Sequence, residues 1–272
     1  MSFRHILYDV APPLATITLH RPQALNAIDD LMMTEVTGAL AEAEQDGRVR
    51  VVILRGSGRC FSSGYDIAEA DAEVPTHEAV ATSARYWSWA RGFWSFPKPI
   101  VASVHGYVLA GACEVAMLCD LTVASRDARF GEPEVRFASG PPVLIMPWII
   151  GAKATRELLY TGKLIDAQRA YELGMVNEVC APEDLDRRTR YHALLISRVA
   201  PLAIRLQKQG INRTYELMGL LSAIPGAATL VGILEGSRTD EGDAFSAIRR
   251  ERGLKAALAW RDEQFREVER LA

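Results

Sequence analysis

Two glutamates near the middle of the chain have the surroundings expected of acid–base groups. Glu114 is the only carboxylic acid between His105 and Asp120, and it lies among apolar and small residues. Burying a carboxylate there is costly unless the group has partners or a function. Glu134 follows after a short polar turn. We predict that both glutamates face one pocket and that burial raises the pKa of Glu114, which suits proton transfer near neutral pH.

Each glutamate also has a simpler interpretation. Glu114 could belong to a buried ion pair, which would hold its charge without any catalytic role. Glu134 could be an ordinary solvated carboxylate in a loop, as most loop glutamates are.

Two glycine-containing turns could together bind a carbonyl oxygen. A predicted strand at 100–104 leads into a helix that begins at Gly111, and the first N–H groups of a helix have no partner within it. The loop Ser62-Ser-Gly-Tyr-Asp66 also follows a strand, and the N–H of Tyr65 could be a second donor. Two such donors suit a thioester or ester carbonyl that becomes an enolate or a tetrahedral oxyanion. Ordinary tight turns are the alternative.

The composition is that of a soluble globular protein. The 272 residues are 49% hydrophobic and 24% charged, with a net charge of −3. There is therefore no electrostatic case for binding nucleic acid or an anionic membrane. The N-terminus lacks the apolar core of a signal peptide, and no apolar run is long enough to cross a membrane. We expect a cytoplasmic protein with neither a nucleic-acid partner nor a membrane partner.

Cysteines and histidines form no metal-binding pattern. The four cysteines show no CxxC pair, and the five histidines show no HExxH motif. We expect reduced, mostly buried thiols and no metal site. A serine hydrolase is also disfavoured, because the chain has no GxSxG motif.

Apolar patterns predict alternating strands and helices, which indicate an α/β core. Predicted strands are 14–19, 50–55, 100–104, 121–124 and 176–179. Predicted helices are 29–45, one with aromatic residues from 86 to 96, 111–119, 152–160, 166–173 and a long one from Pro182. Helices fill 200–272, with breaks expected at Gly210, Pro225-Gly226 and Gly253. The acidic segment from Ala68 to Pro75 is expected to be mobile.

Two helices carry apolar faces whose partners the sequence does not decide. Tyr86, Trp89 and Phe93 share one face, which either packs in the core or walls an apolar acyl pocket. The last helix has an apolar stripe that packs either on the protein's own core or on a partner subunit. Its members are Leu254, Leu258, Phe265, Val268 and Leu271.

The central run from Ile100 to Glu134 resembles the signature of the crotonase, or enoyl-CoA hydratase/isomerase, superfamily. An ordered set of short motifs extends the resemblance over roughly residues 3–252. They are Arg21-Pro22, Asn26-Ala27, Val51–Leu54, Phe61–Ile67, Lys98–Ile100, Gly111–Glu114, Cys119-Asp120, Phe130–Glu134, Thr161-Gly162, Ala167, Gly174–Asn177, Glu241-Gly242 and Ala244-Phe245. One such motif is weak, whereas the ordered set is specific.

The resemblance implies a fold class and a substrate class. The fold is α/β, a crotonase-like spiral of ββα units that holds the acyl-CoA site in residues 1–198. Residues 199–272 are then a C-terminal helical region used for trimer assembly, often into hexamers. The implied partners are an acyl-CoA thioester and further copies of the chain. No metal or redox cofactor is implied, and coenzyme A is part of the substrate.

The resemblance also assigns roles to individual residues. The N–H groups of Tyr65 and Gly111 match the family's oxyanion donors, and Glu114 and Glu134 match the two glutamates of its hydratases. Glu114 would deprotonate a water that adds to a 2-enoyl-CoA, and Glu134 would protonate the α-carbon. Residues implied to contact the substrate are Ala24, Ser63, Gly64, Asp66, Ile67, Pro141 and Pro142.

The segment from Ala138 to Met146 departs from the family pattern. Hydratases continue here with a glycine-rich run, whereas this chain has Pro142 in place of a glycine and Leu144-Ile145 in place of a glycine pair. Proline has no N–H to offer, so altered water handling and a reshaped acyl pocket are expected. A double-bond isomerase, a hydrolase or a C–C bond-cleaving enzyme of the same fold is an alternative. A CoA-binding scaffold or an RNA-associated oligomer is the non-enzymatic alternative.

Overall fold

The structure, a computed structural model, describes residues 3–67 and 74–271. Residues 68–73 make up most of the segment that the sequence predicts to be mobile, and they lie outside the described residues. Within the described part, two β-sheets are followed by a helical C-terminal region.

The described strands form a six-stranded and a three-stranded sheet. In chain order they are β1 (Ile6–Ala11), β2 (Leu14–Leu19), β3 (Val51–Gly56), β4 (Ile100–Val104), β5 (Tyr107–Leu109), β6 (Leu121–Ser125), β7 (Arg129–Gly131), β8 (Ile165–Asp166) and β9 (Glu178–Cys180). The larger sheet has the order β1-β2-β3-β4-β6-β9 and is parallel except for the β1–β2 hairpin. The smaller sheet has the order β5-β7-β8.

Helices alternate with these strands and then continue alone. They are α1 (Asp30–Gln45), α2 (Thr76–Ser95), α3 (Gly111–Leu118), α4 (Met146–Ile149), α5 (Gly151–Thr161), α6 (Ala167–Glu172), α7 (Leu185–Ser197), α8 (Pro201–Leu217), α9 (Leu220–Glu235), α10 (Asp240–Arg252) and α11 (Leu254–Glu269). Short 3-10 helices span Pro22–Ala24, Pro133–Phe137 and Pro182–Asp184. The predicted α/β core with a helical C-terminal region is confirmed.

The larger sheet is covered on both faces, which explains its continuous apolar strands. Val52 and Leu54 of β3 belong to the main core, where the buried residues of α1, α2 and α3 also lie. Val51 and Ile53 of the same strand belong to a second cluster, which includes Ala193 of α7. Successive side chains of a strand point to opposite faces, so β3 contributes side chains to one cluster from each of its faces.

Some predicted boundaries are wrong. The last strand of the larger sheet is β9, at 178–180 rather than 176–179. Helix α8 continues through Gly210, and α9 contains Pro225. Both residues are exposed, whereas buried Ile224 and Ala228 belong to α9, which packs along α2. Packing therefore outweighs the local tendency of glycine and proline to end a helix.

Of the three breaks predicted in the C-terminal helices, only the one at Gly253 is found. Gly219, with φ at +99°, separates α8 from α9. The predicted break at Gly253 is confirmed, because Gly253 separates α10 from α11. No single described helix has the length and apolar composition to cross a membrane. Helices α8 and α9 have that length and composition only when they are taken together, and the chain bends by 59° between them.

Candidate active site

The loop after β3 and the turn before α3 lie in direct contact. The N–H of Leu109 donates a hydrogen bond to the Ser62 oxygen over 3.2 Å. A Cβ on Gly64 would be 2.8 Å from the Leu109 oxygen and 3.2 Å from the Gly111 nitrogen. Gly64 also has φ at +94°, a conformation that side chains rarely allow. A glycine at this position therefore lets the two backbones approach each other.

The two N–H groups considered as oxyanion donors are both available. Among residues 3–67 and 74–271, neither the Tyr65 N–H nor the Gly111 N–H donates a hydrogen bond to another part of the chain. Helix α3 begins at Gly111, so this N–H belongs to the open end of the helix. Ala110 precedes it with φ at 51° and ψ at −134°, a strained conformation for a residue other than glycine.

Asn26 fixes the loop that follows β3. Its side chain is fully buried, and its amide donates to the oxygens of Ser57, Cys60 and Phe61 over 2.8, 2.9 and 3.1 Å. Its side-chain oxygen accepts a hydrogen bond from the Arg21 N–H over 2.9 Å. One side chain thus satisfies several backbone groups that an irregular loop would otherwise bury without partners.

The ring of Tyr65 lies over the N-terminus of α3. A Cβ on Gly111 would be only 2.3 Å from Tyr65 Cε2, so a side chain at 111 would collide with the ring. The ring stacks on Tyr86, with centroids 3.8 Å apart and planes at 14°. The hydroxyl is buried without a hydrogen-bond partner in the described chain. Burial, followed by the charge of Glu114, raises the pKa of Tyr65, so the phenol stays protonated.

The aromatic face of α2 contributes to the core and to a cavity, and the use of that cavity as an acyl pocket stays a prediction. Tyr86 lines the cavity described below. Phe93 is 1% exposed and belongs to the main core. Trp89 lies between them and contacts the rings of Tyr65 and Phe93 edge to face. The aromatic face of α2 therefore packs against the Tyr65 ring and supports the loop that carries it.

Glu114 lies in α3, whose residues are all buried. Its Oε1 accepts a hydrogen bond from the Val143 N–H over 2.7 Å, and its Oε2 is buried without a partner. Burial raises the pKa of Glu114, and the Val143 hydrogen bond acts in the opposite direction. No salt bridge reaches Glu114 from the described residues, so the ion-pair interpretation is wrong.

Glu134 lies in the 3-10 helix Pro133–Phe137 and is 8% exposed. The solvated-loop interpretation is therefore wrong. Its carboxyl group lines the cavity, and its Oε2 has no partner in the described chain. Burial raises the pKa of Glu134, and the neighbouring Glu132 carboxyl group acts in the opposite direction.

Glu132 is a third glutamate of the site, which the sequence analysis did not identify. It is fully buried, and neither of its oxygens accepts a hydrogen bond from an N–H or O–H group of the described residues. Burial, followed by the charge of Glu134, raises the pKa of Glu132 well above the ordinary value. The signal in the sequence is a pair of acids around Pro133, directly after the short strand β7.

The segment that departs from the family pattern closes around Glu114. Pro142 has no N–H, but the next residue, Val143, donates the hydrogen bond to Glu114. Val143 and Ile145 are both fully buried. The segment therefore contributes buried apolar side chains and one backbone donor for the carboxylate, while altered water handling and a reshaped acyl pocket stay predictions.

A cavity of about 270 Å³ joins the two turns to the C-terminal region. Ser139 Oγ donates to a Glu235 oxygen over 2.5 Å, and Arg249 Nη1 donates to the Ile67 oxygen over 2.8 Å. Burial raises the pKa of Glu235. Cavity residues from the C-terminal region include Glu235, Ser237, Thr239, Asp243, Phe245 and Arg249. The cavity thus extends beyond residues 1–198, to which the sequence analysis assigned the site.

Some predicted site residues line this cavity and others do not. Those on its wall are Tyr65, Asp66, Ile67, Gly111, Glu134 and Pro142. Those away from its wall are Ala24, Ser63, Gly64, Glu114 and Pro141. Asp66 is also tied to Arg21 by an ion pair of 2.8 Å, which positions the loop. Contacts between these residues and a substrate stay predictions.

Metal-binding side chains do not gather at the cavity. No group of three or more His, Cys, Asp or Glu residues among those described could hold a metal ion. The four cysteines, Cys60, Cys113, Cys119 and Cys180, are free thiols. The expectation of no cofactor stays a prediction.

Comparisons with known proteins agree with the fold and identify the family. A family model described as enoyl-CoA hydratase/isomerase matches residues 11–235. The short-chain-enoyl-CoA hydratase of Clostridium acetobutylicum is 34% identical over 217 residues, which cover 78% of this chain and 83% of the relative. The crotonyl-CoA hydratase of Syntrophomonas wolfei is 33% identical over 216 residues, with the same coverage of 78% and 83%.

A solved structure extends the similarity to nearly the whole chain. The crystal structure of an enoyl-CoA hydratase/isomerase from Xanthobacter autotrophicus Py2 is 38% identical, with a TM-score of 0.93. The match covers 97% of this chain and 99% of that one. It therefore includes the helical C-terminal region as well as the α/β core.

Proposed function

Since the chain belongs to the enoyl-CoA hydratase/isomerase family and is an enoyl-CoA hydratase-like enzyme, we propose that it adds water to a 2-enoyl-CoA thioester or removes it in the reverse reaction. The main support is the pairing of two buried glutamates with two available N–H donors. Glu134 lines the cavity, whereas Glu114 is not among its lining residues and has one oxygen without a partner in the described chain.

The thioester oxygen would accept hydrogen bonds from the N–H groups of Tyr65 and Gly111. When water adds to the β-carbon, electrons of the double bond move towards this oxygen and give it negative charge. Donors that are already in place stabilise that charge without having to reorganise. Neither N–H has another acceptor in the described chain, which supports this role.

The two glutamates would transfer the protons. Glu114, ionised at the start, accepts a proton from water as the water oxygen forms its bond to the β-carbon. Glu134, protonated at the start, gives its proton to the α-carbon. One water is consumed, and the proton on Glu114 returns to Glu134 through solvent or a neighbouring group. The Val143 N–H favours the ionised form of Glu114, while burial favours the protonated form of both glutamates.

The remaining expectations belong to the same proposal. We propose an acyl-CoA thioester as the substrate, no metal or redox cofactor, and a cytoplasmic location. We also propose trimers or hexamers that assemble through residues 199–272. Exposed apolar side chains of α8 and α9 support this assembly, and they include Leu202, Leu206, Ile211, Leu217 and Leu230.

One observation favours a second candidate within the same family. Glu134 is on the cavity wall while Glu114 is not. A double-bond isomerase needs only one carboxyl group that moves a proton between two carbons of the acyl chain. The isomerase is therefore the principal competitor of the hydratase.

Incubation with enoyl-CoA thioesters of several chain lengths tests the proposal. A hydratase removes the conjugated enoyl absorbance of crotonyl-CoA or of a longer 2-enoyl-CoA. An isomerase instead produces that absorbance from a 3-enoyl-CoA, and a hydrolase releases free thiol. Absorbance gained from a 3-enoyl-CoA, with none lost from any 2-enoyl-CoA, would contradict hydration.

A further inference from the structure

Glu132 is a buried acid for which the proposed reaction has no use. It lies between β7 and the 3-10 helix Pro133–Phe137, and it is fully buried. It is not on the cavity wall, so it does not meet a substrate there. A carboxyl group buried without an ion pair to any described residue calls for a physical explanation.

The protonation state of Glu132 determines whether its oxygens are satisfied. An ionised carboxyl group only accepts hydrogen bonds, whereas a protonated one also donates. As carboxylates, Glu132 and Glu134 would be adjacent buried charges, with unpartnered atoms at Glu132 Oε1, Glu132 Oε2 and Glu134 Oε2. A single proton between the two groups turns this repulsion into a hydrogen bond.

We propose that Glu132 is a positioning residue that stays protonated and donates a hydrogen bond to the carboxyl group of Glu134. The role in catalysis rests on the proposed function, in which Glu134 gives a proton to the α-carbon. That step leaves Glu134 as a buried carboxylate. The O–H of Glu132 stabilises this carboxylate and fixes its orientation, while Glu132 itself loses no proton.

The groups around the pair favour a neutral Glu132. It faces Glu134, the Cys113 thiol and Glu114, and it also interacts with Tyr65. None of these groups is a cation. Burial and the neighbouring carboxyl groups raise the pKa of Glu132 well above its usual range, and they act in the same direction.

Glu134 has a more mixed environment. Burial raises the pKa of Glu134 most and the charge of Glu235 adds to this effect, whereas the neighbouring Glu132 carboxyl group, the backbone of Glu134 and the charge of Arg261 lower it. Glu134 is therefore the member of the pair that ionises more readily. This order of ionisation is the one that the donor role of Glu132 requires.

Infrared spectroscopy of the full-length protein at neutral pH tests the protonation directly. A protonated carboxyl group has a carbonyl stretching band separate from the bands of carboxylates. The wild-type minus Glu132→Gln difference spectrum is expected to contain this band. Glu157→Gln is the matched control, because Glu157 is 43% exposed and pairs with Lys163, and it should leave the band unchanged. A difference spectrum without the band would overturn the proposal, whatever the activity.

The pH dependence of kcat/KM tests the effect on Glu134. Glutamine keeps an N–H donor, so Glu132→Gln should retain activity within about threefold and keep the alkaline limb of the profile in place. Glu132→Leu removes the donor and should lower kcat about tenfold to a hundredfold. It should also move the alkaline limb to higher pH, because the Glu134 carboxylate loses a hydrogen bond.

The two variants separate the competing explanations. If Glu132 were ionised, Glu132→Gln would remove a negative charge and move the alkaline limb to lower pH, which would overturn the proposal. An alkaline limb at the same pH in wild type and in both variants would also overturn the proposal. The infrared band requires no substrate, so a missing hydratase activity refutes the proposed function without affecting that measurement.

Discussion

The backbone N–H of Val143 donates a hydrogen bond of 2.7 Å to Oε1 of Glu114. This hydrogen bond links the segment that departs from the family pattern to a fully buried glutamate. Glu114 is fully buried, and this hydrogen bond is the only one that its carboxyl group receives from the described residues. The segment 138–146 therefore takes part in controlling the protonation of the candidate base.

Removing this donor should weaken the base function of Glu114. In Val143→Pro the N–H is absent, so the ionised form of Glu114 loses its hydrogen bond and its pKa rises further. We expect kcat to fall about tenfold to a hundredfold, with the acid limb of the pH–rate profile moved to higher pH. Val143→Ala keeps the N–H and serves as the control. An acid limb at the same pH in both variants would show that the hydrogen bond has no such effect.

Contact between Gly111 and Tyr65 predicts a strong effect of a single methyl group. In Gly111→Ala the new Cβ would collide with the Tyr65 ring, which must move together with the loop that carries the second N–H donor. We expect turnover to fall about a hundredfold or more and the free energy of unfolding to fall by about 1–3 kcal/mol. Gly92→Ala in α2 is the control, because its Cβ would meet no atom within 4 Å.

A double variant identifies the cause of this loss. In Gly111→Ala/Tyr65→Ala the ring is removed, so the methyl group has space. The loss of stability should be smaller than the sum of the losses in Gly111→Ala and in Tyr65→Ala. Additive losses in the double variant would mean that the two residues do not interact.

The buried side-chain amide of Asn26 should contribute mainly to the stability of the fold rather than to the chemical step. Asn26→Ala leaves several buried carbonyl oxygens without a donor, so we expect the free energy of unfolding to fall by about 3 kcal/mol. Asn212→Ala is the comparison, since Asn212 donates to one carbonyl, that of Trp94, and should cost about 1 kcal/mol. Urea unfolding measures both, and equal losses would contradict the role given to Asn26.

The raised pKa of Glu132 also predicts how stability changes with pH. Between the ordinary pKa of 4.5 and the raised value in the folded state, the native protein binds more protons at this group than the unfolded chain does. Wild-type stability therefore declines as the pH rises through this range. Glu132→Gln lacks this decline, so its stability relative to wild type should be greater at pH 8 than at pH 4. A difference that does not depend on pH would contradict the raised pKa.

Much of the fold was predictable because its signals are local. The apolar run of β3 and the alternation in β2 were sufficient to locate both strands. The C-terminal breaks were harder, because Pro225 lies within a helix that tertiary contacts hold in place. A sequence window does not contain such contacts, so it assigned a break where the packed helix continues.

The candidate site was predictable to a similar extent. Glu114, Glu134 and the two turns carry recognisable patterns of burial and of glycine. Glu132 was missed because its importance comes from three-dimensional neighbours, namely Glu134 and Glu114. The donor role of Val143 could not be predicted either, because every residue type except proline has a backbone N–H. The positions of Glu235 and Arg249 on the cavity wall could not be predicted, because they depend on how the C-terminal helices pack.

The most direct test of the account compares crotonyl-CoA hydration by wild type, Glu114→Gln and Glu134→Gln, with Glu157→Gln as the surface control. We measure the loss of the conjugated enoyl absorbance and verify the fold of each variant by circular dichroism. The account predicts hydration by wild type and the control, and a loss of at least about a hundredfold in each of the other two variants. Wild-type turnover in both Glu114→Gln and Glu134→Gln would contradict it.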